Sequence, residues 1–325
     1  MRLSWVMKTA AAVLVLSLAN PVLYARQHEH KAQQEDQAIK LATDLVSLNV
    51  LVTDRNGRAI LGLGKENFKV YEDGVEQQIS FFSADEAPVS WGLILDRSGS
   101  MMGMMRDVYS AAVHVVDEGT EQDEIFAVTF NKEVEMASDF TSDKHKLENS
   151  LLGLRADGGT ALWDAIVFGL NKIKQGKHRK KVLVVVTDGE DNASAIKFRG
   201  LIERAEEEDV LIFLVGMFES DGGMLRSILK LPMHDDDPQP EMEKLAQATG
   251  ARAHFPKNVD QCKQAMKEIA REVSQQYSLG YYPTSTARDG KWRKIRVSST
   301  QEESKAKYVA RTRAGYYAPS MEDLK

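Results

Sequence analysis

Four short apolar runs constrain this chain more than any other feature: SWGLILD (90–96), EIFAVTF (124–130), KVLVVVTD (181–188) and VLIFLVGM (210–217). Each has the length of a strand and carries almost no polar residue, as a strand covered on both faces does. Between them lie MRDVYSAAVHVVDEG (105–119), ALWDAIVFGLNKIKQG (161–176) and IKFRGLIERAEEED (196–209), whose apolar residues recur at helical spacing. Strands alternating with amphipathic helices imply an α/β fold, with a doubly wound, mainly parallel sheet over about 88–275. In open sheets of this kind, ligands sit outside the carboxyl ends of the strands.

Either side of this region the rhythm is different. LVSLNVLVTDRNGRAILGL (45–63) and FKVYEDGVEQQISFF (68–82) alternate apolar and polar residues around Asn56-Gly57 and Asp73-Gly74, which predicts antiparallel hairpins. Such strands are not stable alone. QYSLGYYPT (276–284), KWRKIRVSST (291–300) and KYVARTRAGYYA (307–318) are rich in aromatic and β-branched residues and offer partners. The expectation is one small antiparallel β-domain built from both chain ends, 44–87 and 276–319, with the α/β domain between them. Residues 1–25 pair Arg2 and Lys8 with an apolar stretch, Thr9 to Ala19, then Pro21 and Ala25. That is the layout of a secretory signal peptide, cleaved after Ala25 or retained as an anchor, and its apolar run is too short to span a bilayer comfortably. A secreted or periplasmic location follows, with no membrane span once the segment is removed. Residues 26–43 read as a polar tether, and His28 and His30 as solvated residues of it.

With 43% hydrophobic and 28% charged residues, the 325-residue chain belongs with folded proteins. Losing Arg2 and Lys8 takes its formal charge from −6 to −8, which argues against nucleic acid as a partner. The densest basic run, KQGKHRKK (174–181), falls where a helix ends before a strand, and cations there complement the helix dipole. The single cysteine, Cys262, cannot form an internal disulfide.

Three loops at the carboxyl edge carry oxygen side chains. DRSGSM supplies Asp96, Ser98 and Ser100; DGGTALWDA supplies Thr160 behind Gly158 and Gly159, which let the backbone approach a ligand closely; VVVTDGED supplies Asp188. Read singly, Ser100 and Thr160 are candidate helix N-caps, and Asp188-Gly189 a candidate turn. Read together, these five are hard oxygen donors without His or Cys, a set that suits Mg²⁺, Mn²⁺ or Ca²⁺ rather than zinc.

In this order the three segments resemble the von Willebrand factor type A domain and its metal-ion-dependent adhesion site, over about residues 88–275 with all five positions filled. The flanks resemble a bacterial subgroup of secreted chains carrying this domain, first noted in acidobacteria. The resemblance implies that Ser98 and Ser100 contact the cation directly and that Thr160 and Asp188 exchange between direct and water-mediated contact. It implies that Asp96 acts largely through water, and that the remaining position takes a carboxylate from a protein partner. With only two carboxylates facing it, the ion keeps electrophilic character, and helix N-termini at Met101 and Ala161 would add to an anion's attraction.

Catalytic patterns are missing: there is no GxSxG, Walker A, HExxH or CxxC segment. The expected function is therefore non-enzymatic binding or adhesion. Two alternatives are a metal-dependent hydrolase using Glu190 or Asp191 as base or second-metal ligand, and a scaffold whose metal is only structural. Methionines of MMGMMRD (101–107) are too soft for Mg²⁺ and read as core and rim. HDDDPQPEME (234–243) reads as a solvated loop, and DGGMLRSILKLP (221–232) as an added helix near the same edge.

Overall fold

The structure is a computed structural model that describes residues 45–55, 57–116, 119–188, 191–217, 237–299 and 308–320. The signal segment, the tether with His28 and His30, Glu190 and the expected helix at 221–232 lie outside these residues. The chain divides into two units between Val46 and Ser47, and the architecture is that of the second.

In chain order, strands β1 (Val46–Thr53), β2 (Phe68–Glu72), β3 (Val75–Gln77) and β4 (Ile79–Ser83) come first. The central region follows with β5 (Val89–Asp96), α1 (Met105–Val113), β6 (Glu124–Phe130), β7 (Val134–Thr141), α2 (Lys144–Ser150), α3 (Leu162–Ile173) and β8 (Lys180–Thr187). It continues with α4 (Phe198–Glu207), β9 (Leu211–Gly216), α5 (Gln239–Thr249), β10 (Ala253–His254) and α6 (Val259–Ser274). Strands β11 (Tyr277–Tyr281), β12 (Trp292–Ser299), β13 (Val309–Arg311) and β14 (Gly315–Tyr317) end the chain.

The central sheet has the order β10-β9-β8-β5-β6-β7 and is parallel except for β7. All eight residues of β5 are buried, because alternate side chains enter two separate cores. Leu93 and Leu95 pack with Val108 and Ala112 of α1 and Met266 and Ile269 of α6. Ile94 packs on the opposite face with Leu162 and Ile166 of α3 and Leu245 of α5. Each such side chain contributes about 1.5–3 kcal/mol on leaving water, so the apolar runs of the sequence are the strands that carry helices on both faces.

The two chain ends interleave in two antiparallel sheets, ordered β13-β1-β11-β4 and β14-β12-β2-β3. Leu51 pairs with Arg311, Leu279 with Phe82, and Val70 with Val297. Phe68 meets Phe82 and Tyr277 across the sheets, with ring centroids 5.7 and 5.0 Å apart. Buried Glu72 accepts hydrogen bonds from the Tyr281 and Tyr316 hydroxyls at 2.8 and 2.9 Å, and burial raises both phenols above their ordinary pKa. Among the described residues no helix is long and apolar enough to cross a membrane.

The hairpin expected at Asp73-Gly74 forms, while other local expectations change. Asp73 and Gly74 take positive φ (47° and 85°) and join β2 to β3 as a tight hairpin. The segment after Gly57 reaches β1 only through an isolated bridge, Thr53 to Ala59. No helix starts at Met101: a single 3₁₀ turn, Gly99–Met101, is followed by Gly103 at φ 93°, and α1 begins at Met105. The positive potential expected there is correspondingly reduced, whereas α3 does begin behind Ala161. Helix α5 starts at Gln239, inside the segment read as a loop up to residue 243, with Pro240 in the first turn, where a missing N–H costs nothing.

The basic run between α3 and β8 is consumed locally. Lys177 Nζ lies 3.8 Å from Glu124, and Lys181 Nζ donates to the Gly176 carbonyl at 2.7 Å. Lys180 is buried and donates to the Val273 carbonyl at 2.9 Å. Burial pushes its ammonium down to about 8, against the opposing pull of Glu86 and Asp123. Above pH 8 the folded chain sheds a proton that the unfolded chain keeps to about 10.5, so stability rises with pH in that window and the burial penalty is complete below it. The urea midpoint is expected to rise between pH 7 and 9, and to stay flatter in Lys180→Met; equal slopes for the two proteins would count against this account.

Candidate metal centre

Strands β5 and β8 are parallel neighbours with Leu95 paired to Val186, so Asp96 and Asp188 leave the sheet at one edge. Asp96 is fully buried. Its Oδ1 accepts from the Ser98 N–H at 2.7 Å and its Oδ2 from the Thr187 hydroxyl at 2.6 Å. Burial pushes its carboxyl up to about 6; the Thr187 and Ser98 hydrogen bonds oppose the rise, and the negative charge of Asp188 adds to it. The Tyr109 hydroxyl of α1 donates to the Asp96 carbonyl at 2.8 Å, which fixes the strand end against the helix.

Ser98 is buried and Ser100 exposed, and their Oγ atoms stand 3.0 Å apart. Thr160 is 3% exposed and Asp188 half-buried, with its Oδ1 atom inaccessible to solvent. The cap readings fail for both hydroxyls. The residues at the N-terminal boundaries of α1 and α3 are Met104 and Ala161, and no side-chain cap bond forms at either. A single residue, Ser98, starts the 3₁₀ turn, also without a side-chain cap bond.

Backbone contacts knit the three loops together. The Gly99 N–H donates to the Gly158 carbonyl at 3.1 Å, and the Asp157 N–H to the Arg97 carbonyl at 2.9 Å. The Asn192 and Ala193 N–H groups both donate to the Thr160 carbonyl, at 3.0 and 3.1 Å, while Asn192 Oδ1 accepts from the Thr160 N–H at 2.9 Å. Gly158 takes φ +74°, and a Cβ on Gly159 would lie 2.7 Å from Asn192 Oδ1. The glycine pair thus serves the approach of one loop to the next. All of the sequence-selected residues share this edge: Asp96, Ser98 and Ser100 on one loop, Asp188 close enough to perturb Asp96, and Thr160 tied in through its own backbone and that of Gly158.

Sequence reasoning missed Thr187, Tyr109, Asn131 and Asn192. Thr187 was legible in retrospect, since it neighbours Asp188 at the end of a buried strand; the two asparagines act by holding loop residues distant in sequence and leave no sequence pattern. The methionines split as core and rim: Met101 is fully buried and Met102 is 71% exposed. Among the described residues no group of three or more His, Cys, Asp or Glu side chains forms a metal cluster. What the edge offers is two carboxylates with three hydroxyls.

A family model for the von Willebrand factor type A domain matches residues 92–272, more than half of the chain. The chain belongs to the von Willebrand factor type A domain family. The matched span of the type A domain opens inside β5, closes inside α6 and contains all five edge residues; the antiparallel sheets lie outside it. A type A domain points to adhesion or protein binding as the class of function.

A curated relative, uncharacterized protein sll0103 of Synechocystis sp., is 29% identical over 108 residues, which are 32% of this chain and 26% of that protein. The chain therefore matches about a quarter of that relative's length. Among solved structures, the vWF domain of the type V pili tip protein Mfa5 from Porphyromonas gingivalis is 14% identical, with 58% of this chain and 96% of that chain covered and a TM-score of 0.47. BatB from Bacteroides thetaiotaomicron is 18% identical, with 57% and 97% covered and a TM-score of 0.45. Proximal thread matrix protein 1 of the mussel byssus, with a zinc-occupied MIDAS motif, is 15% identical, with 62% and 49% covered and a TM-score of 0.48.

Proposed function

We propose that this chain is a secreted or periplasmic binding protein whose type A domain holds one divalent cation, Mg²⁺ before Mn²⁺ or Ca²⁺, and uses it to engage an acidic group on a protein partner. The flanking β-sheets would make it one of the bacterial secreted chains that its flanks resemble. The observation that carries the reading is the pair of hydroxyls on Ser98 and Ser100, neither spent on a helix end and hydrogen-bonded to each other at 3.0 Å. Adjacent corners of an octahedron with metal–oxygen bonds of about 2.1 Å are separated by roughly 3.0 Å, so the pair is already spaced to share one Mg²⁺.

Role assignments follow the resemblance, and the contacts agree with them. Ser98 and Ser100 would hold the ion directly. Asp96 already accepts hydrogen bonds on both oxygens, which fits a carboxylate that balances charge through water and fixes the Ser98 backbone. Thr160 and Asp188 complete the set from the neighbouring loops. When bound, the cation supplies an electrophilic position for a partner's carboxylate, and the chain's part is to keep that position short of negative charge.

A hydrolase would need a further base, and Asp191 is engaged elsewhere. Its Oδ1 accepts from the Ser194 hydroxyl at 2.5 Å and the Trp163 N–H at 3.3 Å, tying the third loop to the start of α3. This supports the binding reading over turnover. The test is capture of partners from the envelope fraction of the source organism, with Mg²⁺ and with chelator, alongside a phosphatase assay with Mg²⁺ and Mn²⁺. Capture that requires the cation supports the proposal. Capture indifferent to chelator, or turnover lost in Asp188→Ala, overturns it.

A further inference from the structure

We infer that Asn131, just past the end of β6, is a positioning residue for the cation site: it brackets Gly158-Gly159-Thr160 and so sets where the Thr160 hydroxyl stands. The inference rests on the cation reading above. Asn131 is 4% exposed. On one side of the tripeptide its Nδ2 donates to Asp157 Oδ1 at 2.7 Å; on the other its carbonyl accepts from the Ala161 N–H at 2.6 Å. Its own side chain is held in turn, since Asn131 Oδ1 accepts from the Glu133 N–H at 2.9 Å. One residue therefore grips the loop immediately before and immediately after the three residues that present Thr160.

The grip extends sideways. Arg97, between Asp96 and Ser98, donates through Nη1 to the same Asp157 oxygen at 3.2 Å and through Nη2 to Glu135 of β7 at 2.8 Å. Asp157 is thus the point where the Ser98 loop, the Thr160 loop and the end of β6 are fastened, although its side chain is 70% exposed. None of Asn131, Asp157 and Arg97 is counted among the proposed donors. Their effect is geometric: they fix the span between Thr160 and the two serines. Mg²⁺ demands a nearly ideal octahedron and Ca²⁺ tolerates a loose cage, so a fixed span is a device for selectivity as well as affinity.

The test compares Asn131→Ala, Asp157→Ala, their double variant and Asp157→Asn by calorimetric titration with Mg²⁺ and with Ca²⁺. Hydrogen exchange of residues 155–161 is measured in the same proteins without metal. Outer contacts of this kind are worth about 10–100-fold in metal affinity. Both alanine variants are expected to weaken Mg²⁺ about tenfold or more and Ca²⁺ less. The double variant should lose less than the sum of the two single losses, because both remove the Asn131–Asp157 hydrogen bond. Asp157→Asn keeps the oxygen that Asn131 reaches and should stay near wild type. Equal losses for the two ions, additive losses, or unchanged Mg²⁺ affinity would overturn the assignment, as would unchanged exchange at 155–161. If the wild-type protein takes up neither ion, the cation reading itself falls, and the bracket stands or falls on exchange alone: faster exchange in both alanine variants upholds it.

Discussion

Replacing Ser98 and Ser100 together by alanine is expected to abolish Mg²⁺ uptake while leaving the domain folded. The two Oγ atoms are the pair whose 3.0 Å separation suits adjacent positions on the ion. Without them the ion loses the two oxygens assigned to hold it directly, and one of the two remaining carboxylates, Asp96, already accepts hydrogen bonds on both oxygens. The fold has little to lose. Ser100 is exposed, and neither hydroxyl caps a helix. The bond that anchors the loop runs from the Ser98 backbone N–H to Asp96 and survives the change. Calorimetric titration should therefore show no heat of binding, with a metal-free melting temperature within a few degrees of wild type. Unchanged uptake would remove the two serines from the site. A metal-dependent rise in melting temperature with partner capture unaltered would favour a purely structural ion.

The second large effect lies at the opposite end of the same strand. Asp123 is 3% exposed and accepts from the Val89 N–H at 3.0 Å, the Trp91 Nε1–H at 2.9 Å and the Thr120 hydroxyl at 2.7 Å. Asp123→Ala strands the buried Trp91 indole and the first amide of β5. Hydrogen bonds to a charged group contribute about 1.5–3 kcal/mol each, so a loss of roughly 3–5 kcal/mol is expected. For a chain of this size that is a fall of about 10 °C in melting temperature. Cation affinity should be unaffected in the folded fraction. A melting temperature within 2–3 °C of wild type would mean that water replaces the carboxylate there.

Much of the architecture was legible because burial on both faces leaves a strong imprint. The runs around Leu93, Val128, Val184 and Phe213 have few polar residues to confuse the reading. Strand β7 escaped notice for the converse reason. Its sequence VEMASDFT is mixed and half-exposed, and only pairing with β6 makes it a strand. The expected start of a helix at Met101 ignored Gly103, whose φ of 93° ends the 3₁₀ turn and resets the chain before α1. The alternation after Gly57 is a true pattern without a partner strand in register, so it yields one bridge instead of a ladder. At the site, donor chemistry could be read from residue types and order. The asparagines could not, because their work is to hold groups of residues far away in sequence: Asn131 reaches the Asp157 carboxylate and Asn192 the Thr160 N–H.

The interleaved ends have a temporal implication. Leu51 finds its ladder partner at Arg311 and Val70 at Val297, so the first strands to leave the ribosome wait for the last. At synthesis rates of about 5–20 residues per second, the delay is on the order of 10–50 s. The parallel-sheet region contains its own cores and has no such wait. During this interval β1 and β2 present open edges with buried-type side chains, the period in which a nascent chain most needs a holdase and in which pairing between two copies competes with self-closure.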